Sequence, residues 1–124
     1  MTIADTGRIV LMELWRGSSQ YEMSPFINDV TPGTGSVYAD FTKASMALPN
    51  QGFSWGAPSI VNGECTMVGT SVTFTNWTAP FPVTVYGYFV HKGLVLLCAA
   101  RFASPVVVTT TDQQISKFVT FKIP

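Results

Sequence analysis

Residues 82–102 read Pro82-Val83-Thr84-Val85-Tyr86-Gly87-Tyr88-Phe89-Val90, then His91-Lys92-Gly93, then Leu94-Val95-Leu96-Leu97-Cys98-Ala99-Ala100-Arg101-Phe102. Two runs rich in β-branched, aromatic and aliphatic residues flank a short polar stretch that ends in glycine. That is the signature of a β-hairpin. Working outward, Ser71–Trp77 alternates, with Val72 and Phe74 on one face and Ser71, Thr73 and Thr75 on the other. Residues 53–61 are apolar, Asn62-Gly63 predicts a tight turn, and residues 64–68 return. Residues 21–27 predict a short strand, which Pro25 assigns to a sheet edge. At the end of the chain Ile115, Val119, Phe121 and Ile123 alternate with Ser116, Thr120 and Lys122, while Lys117 and Phe118 break the pattern. Short strands recurring about every 10 residues predict an all-β sandwich or barrel. Phe74, Val85, Phe89 and Phe121 are its expected core residues.

The first residues follow another period. Ile3, Val10, Leu11, Leu14 and Trp15 are apolar, and Asp5, Arg8, Met12 and Arg16 recur at spacings of three and four. This predicts one N-terminal amphipathic helix over residues 1–17, ended by Gly17 with Ser18 and Ser19. The expected fold is therefore mainly β. It is a single domain over residues 1–124, a β-sandwich or jelly roll at 21–124 preceded by the helix.

Composition narrows the function. Charged residues make up 11% of the 124, seven basic and seven acidic, and the formal net charge is +0. A soluble domain usually carries about 25%. A neutral, charge-poor surface favours association, so the chain reads as a part of an assembly. Its fifteen threonines let strands present polar faces without charge. The scattered basic residues and the pI of about 6.5 argue against a nucleic-acid partner. No apolar run approaches the roughly 20 residues that cross a bilayer, so no membrane partner is expected, and no secretory segment is legible at residues 1–20. Cys65 and Cys98 are expected as free thiols in a chain made in a reducing cytoplasm.

Enzyme chemistry finds little footing. The single histidine, His91, falls in the turn between two strands and is expected to be exposed there rather than to act as a base. None of the seven acids lies in a pattern implying a shared cleft, and Asp40 is expected to cap local backbone N–H groups. Metal-ligand spacings and a phosphate loop are both missing from the sequence. No catalytic, cofactor or metal residue is assigned. The connection Trp77-Thr78-Ala79-Pro80-Phe81-Pro82 is apolar, and two readings stand side by side: a contact site for a partner, or aromatics folded back over the core. Trp77, Phe81, Pro82 and Tyr38 are the candidate protein-interface residues.

Several stretches together resemble a family. Asn28-Asp29-Val30-Thr31-Pro32 and Ala39-Asp40-Phe41-Thr42-Lys43-Ala44 are similar to an "N-N-x-T-P … L-A-D-F-T-E-A" signature of small structural proteins of tailed phages. Trp55-Gly56-Ala57-Pro58, Val72-Thr73-Phe74-Thr75-Asn76 and Val85-Tyr86-Gly87-Tyr88-Phe89-Val90 continue the likeness, as does Ala100-Arg101-Phe102-Ala103-Ser104-Pro105-Val106. It covers roughly residues 21–123 and departs from the pattern at Lys43, where an acid is usual, and at Ala99-Ala100. The resemblance implies a virion component without catalytic residues. It points to a capsid decoration (cement) protein on the outside of the head, bound to the major capsid protein and to copies of itself as a dimer or trimer. The alternative is a tail or fibre component acting as a receptor- or glycan-binding or adaptor module.

Overall fold

A computed structural model describes Thr6, Gly7, Ile9, Val10, Met12 and residues 21–47 and 51–123. The chain is mainly β, with nine strands in three antiparallel sheets among the described residues. The largest sheet has the order β2-β1-β6-β7 and is built from β1 (Tyr21–Phe26), β2 (Gln51–Phe53), β6 (Val83–Lys92) and β7 (Val95–Val108). A second sheet runs β3-β4-β9, from β3 (Ser59–Val61), β4 (Glu64–Val68) and β9 (Thr120–Ile123). β5 (Val72–Phe74) pairs with β8 (Ile115–Lys117) in the third. Thr6, Gly7, Ile9, Val10 and Met12 are helical, and Met12 is fully buried. The other positions of the expected 1–17 helix, including its stop at Gly17, lie outside the described residues.

Turn chemistry sets both hairpins. Asn62 and Gly63 have φ of 52° and 77°, so both central residues of the β3–β4 turn are left-handed. Asparagine and glycine tolerate that conformation best. Between Lys92 and Val95, which pair, Gly93 takes φ of 57° at the first central position. The β6 strand thus runs through His91 and Lys92, and the turn is Gly93-Leu94.

Two sequence irregularities mark changes of sheet or strand. The break at Lys117-Phe118 is where the chain leaves β8, paired with β5, and enters β9, paired with β4. The run 53–61 holds the end of β2 and all of β3, divided by Gly56-Ala57-Pro58. β1 is not the edge that Pro25 predicted, since it pairs with both β2 and β6. The reason is local. β2 meets β1 only at Tyr21–Met23, and the Pro25 carbonyl accepts from Ala44 N–H at 3.1 Å rather than from β6. The missing N–H of Pro25 lies on that same side and costs the β6 ladder nothing.

The large sheet buries both faces. One face adds Tyr21, Met23, Val85, Tyr88 and Val90 to a main cluster that also takes Cys65 and Met67 from β4, Val72 and Phe74 from β5, and Ile115 from β8. The other face carries Phe26 and Phe89, covered by Phe41 from the loop that follows β1. Phe74, Val85 and Phe89 are fully buried as expected, while Phe121 is partly buried against the main cluster. Simple alternation would put Val85 and Phe89 on one face. They are on opposite faces because a register shift between Val85 and Gly87 reverses the phase of β6.

Candidate interaction surface

Trp77 is a core anchor. Its side chain is fully buried, and its indole Nε1 donates to the Gln113 carbonyl at 2.7 Å. Its backbone N–H donates to Thr111 at 3.1 Å, and it bridges Met46. A buried indole needs such an acceptor, and with it the ring has no surface to offer a partner. Of the two readings of this connection, Trp77 takes the core one. Phe81 is half-buried against the main cluster, and Pro82 is exposed. Pro80 and Pro82, both after cis peptide bonds, line a cleft of about 440 Å³ with Ile27, Val83, Thr84 and Tyr86. The hydroxyls of Ser45 and Thr78, which bond to each other, also border it.

Tyr38 is held rather than free. It lies in a short 3-10 helix, Tyr38–Asp40, and its half-buried ring meets Phe89 edge-on at 5.7 Å and His91 at 5.0 Å. The Lys43 ammonium lies 5.3 Å from the ring centroid. Asp40 caps this turn as expected, its carboxylate accepting from Val37 N–H at 2.9 Å. Asn28 ties the loop back through its amide, donating to Asp40 O at 2.7 Å and accepting from Thr42 N–H at 2.9 Å. The motif stretches 28–32 and 39–44 thus form one cover over the Phe26, Phe41 and Phe89 cluster.

His91 is not the exposed turn residue that its neighbours Lys92 and Gly93 suggest. It is 2% exposed, stacked on Phe89 at 5.1 Å. Its Nδ1 donates to the Gly93 carbonyl at 3.0 Å, an atom that can only accept. The other ring nitrogen, Nε2, then accepts from the Ser24 hydroxyl at 3.0 Å. Burial holds its pKa below the ordinary value; the Gly93 carbonyl opposes that shift, Lys43 adds to it and Glu22 opposes it. The residue is a satisfied core histidine, and the Ser24 hydroxyl on its Nε2 is itself fully buried.

Sequence reasoning missed the surface that stands out. Leu94 and Val95, at the tip of the β6–β7 hairpin, are 78% and 71% exposed. β7 follows them as the last strand of its sheet, and among the described residues nothing pairs with its outer side. Its one charge, Arg101, is exposed and held within the chain, meeting Asp29 at 2.5 Å and Val30 O at 3.2 Å and lying 5.2 Å from the Tyr86 ring centroid. A strand edge of this kind can template pairing with another strand. The signal lay in the uncharged run 93–100, which reads equally well as an inner strand until its neighbours are known.

The cysteines carry no paired chemistry. Cys65 is buried, with its thiol 3.5 Å from Met12 Sδ, and Cys98 is half-buried on β7. Both are free, and burial pushes the Cys98 thiol up to about 11, which leaves it protonated and a poor nucleophile at neutral pH. Among the described residues no three His, Cys, Asp or Glu side chains gather where they could hold a metal ion. What the arrangement offers is contact surface: an apolar strand edge, an exposed hairpin tip and a neutral cleft. No family model, no curated protein and no solved structure matches the chain.

Proposed function

We propose that the chain is a structural virion protein, a decoration (cement) protein on the outside of a tailed-phage head. In this reading the three sheets form the layers of a β-sandwich of jelly-roll type over residues 21–124. Met12, in the N-terminal segment, meets it through Cys65. Its partners are the major capsid protein and copies of itself, and its work is mechanical. Binding that prefers the assembled shell stabilises the shell by mass action.

The observation that carries this reading is a surface poor in charge and open in apolar groups. Charged residues are 11% of the chain, and Leu94 and Val95 stand 78% and 71% exposed beside a strand edge that is unpaired among the described residues. Such a surface is a liability on a free protein and an asset in an assembly. The resemblance of residues 28–44 and 85–106 to phage structural proteins supplies the kind of assembly. Two free thiols agree with synthesis in a host cytoplasm. The test is copy number, by quantitative mass spectrometry of purified virions of the source phage. The expected value is comparable to that of the major capsid protein, and absence from the particle refutes the proposal.

One observation favours a tail or fibre adaptor as the second reading. The 440 Å³ cleft pairs the apolar surfaces of Pro80, Pro82 and Tyr86 with the hydroxyls of Ser45, Thr78 and Thr84, a lining suited to an uncharged sugar ring. A glycan array that returns a ligand, with a handful of copies per virion, selects this reading over the first.

A further inference from the structure

The outer edge of β7, unpaired among the described residues, has an internal symmetry. In its pairing with β6, Val90 faces Cys98 and His91 faces Leu96, so Leu97 is an extra residue, a β-bulge. The bulge puts neighbours Leu97 and Cys98 on the same face, against the main cluster, with Ala100. Leu96 and Ala99 lie on the opposite face, in the second cluster. Read outward from the Leu97–Cys98 bond, the faces are identical in both directions. Side-chain size runs the other way, large at Leu94, Val95, Leu96 and Leu97 and small at Cys98, Ala99 and Ala100.

We propose that β7 is a self-docking edge: two copies of the chain pair antiparallel through residues 94–101, about a two-fold axis between Leu97 and Cys98. The two four-stranded sheets then become one continuous sheet. Opposed residues in a β-ladder must share a face. This axis gives Leu97 opposite the other copy's Cys98, Leu96 opposite Ala99 and Val95 opposite Ala100, with faces matched and each large residue beside a small one. An axis centred on Leu97 instead would set Leu96 against Cys98, which lie on opposite faces, so the register is fixed by the bulge.

Charge is compatible with a copy as the occupant. Between Gly93 and Ala100 there is none, Arg101 faces the neutral Leu94 of the other copy, and the chain has formal net charge +0. A cleft of about 450 Å³ lies where the fit needs one, between Leu96–Ala99 and the turn of Pro32, Gly33, Thr34 and Ser36. The other copy's Leu96, opposite Ala99, enters that space. The rest of β7 is guarded, because residues 102–105, including Pro105, bulge out of the ladder between Arg101 and Val106.

The inference rests on the assembly reading only for the premise that copies associate, and adds the surface and the symmetry. Sedimentation of the purified full chain tests it. The expected mass is twice the 13.5 kDa of one chain. Val95→Lys, at an exposed position, is expected to sediment as a monomer that still unfolds cooperatively in urea, with a midpoint that no longer depends on protein concentration. Leu97→Cys places a thiol opposite the other copy's Cys98, within disulfide reach for antiparallel neighbours. Diamide oxidation is expected to give a covalent dimer there and none for Val107→Cys. A wild-type chain that stays monomeric at its highest soluble concentration overturns the proposal. So does a dimer that survives Val95→Lys and yields no cross-link at position 97. A monomer that is nevertheless abundant in virions defeats only the edge pairing; a β7 dimer absent from virions defeats only the virion reading.

Discussion

Two apolar connections of this chain meet opposite fates. Trp77-Thr78-Ala79-Pro80-Phe81-Pro82 contains the bulky aromatics that mark binding hot spots, yet its tryptophan is fully buried and bonded to Gln113. Gly93-Leu94-Val95-Leu96-Leu97 is plain aliphatic sequence, and its first two apolar side chains stand in solvent. The difference lies in what each segment finds around it. The first crosses between β5 and β6 and meets the main cluster with a backbone acceptor for its one polar atom. The second caps a hairpin whose outer strand has no further neighbour among the described residues. Hydrophobicity alone does not decide exposure; the availability of a partner within the chain does.

The largest effect expected from breaking this contrast is at the buried end. Trp77→Ala removes a fully buried indole and leaves the Gln113 carbonyl without its donor, so a loss of about 3–5 kcal/mol is expected in urea unfolding. A loss under about 1 kcal/mol would return Trp77 to the surface.

Next comes Gly87, where the two faces of the large sheet meet. An added Cβ there would overlap the Ala100 carbonyl oxygen and come within 2.8 Å of the Phe26 ring. Backbone cannot yield as a flexible side chain does, so Gly87→Ala is expected to cost about 1–3 kcal/mol, again in urea unfolding. A neutral result would mean that the β6–β7 ladder opens freely beside its bulge, and that the edge is softer than its pairing implies.

These two positions also separate what the sequence discloses from what it hides. The hairpins at Asn62-Gly63 and Gly93 were legible because left-handed backbone selects few residues. The strand segments near 72–74, 83–92 and 115–123 were legible from their period. Alternation does not carry through a bulge that reverses the phase: Val85 and Phe89 are both buried, as expected, but on two faces. Pairing order beyond the two hairpins was not legible, because an uncharged strand such as 94–100 suits an edge and a centre equally. Sequence left Trp77 between two readings and set His91 in an exposed turn for a related reason: their partners, Gln113 and Ser24, lie 36 and 67 residues away in the chain.

His91 sharpens the comparison through pH. Burial depresses its pKa in the folded chain, so as pH falls below the unfolded value of about 6.5 the unfolded state takes up a proton first. Stability is therefore full above that value and declines as pH falls toward the folded pKa. Each unit of depression corresponds to about 1.4 kcal/mol. Urea midpoints on either side of this window are expected to differ, and His91→Gln is expected to narrow the difference at a constant cost. An unchanged pH dependence in that variant would show that His91 is not its source.

The smallest effect is expected at the exposed end, and its smallness is the point. Leu94→Ser touches a side chain that is 78% exposed, so the unfolding free energy of the separate chain should move by less than about 0.5 kcal/mol. The same change should weaken association, because Leu94 has nothing to bury against until a second surface arrives. A large leucine exposed at a hairpin tip adds nothing to folding, whereas serine there would favour solubility. If Leu94→Ser leaves both folding and association untouched, the hairpin tip is an ordinary exposed apolar turn, and the contrast with Trp77 reduces to one of burial alone. If folding is untouched and association falls, the free energy of that leucine belongs to a contact between chains.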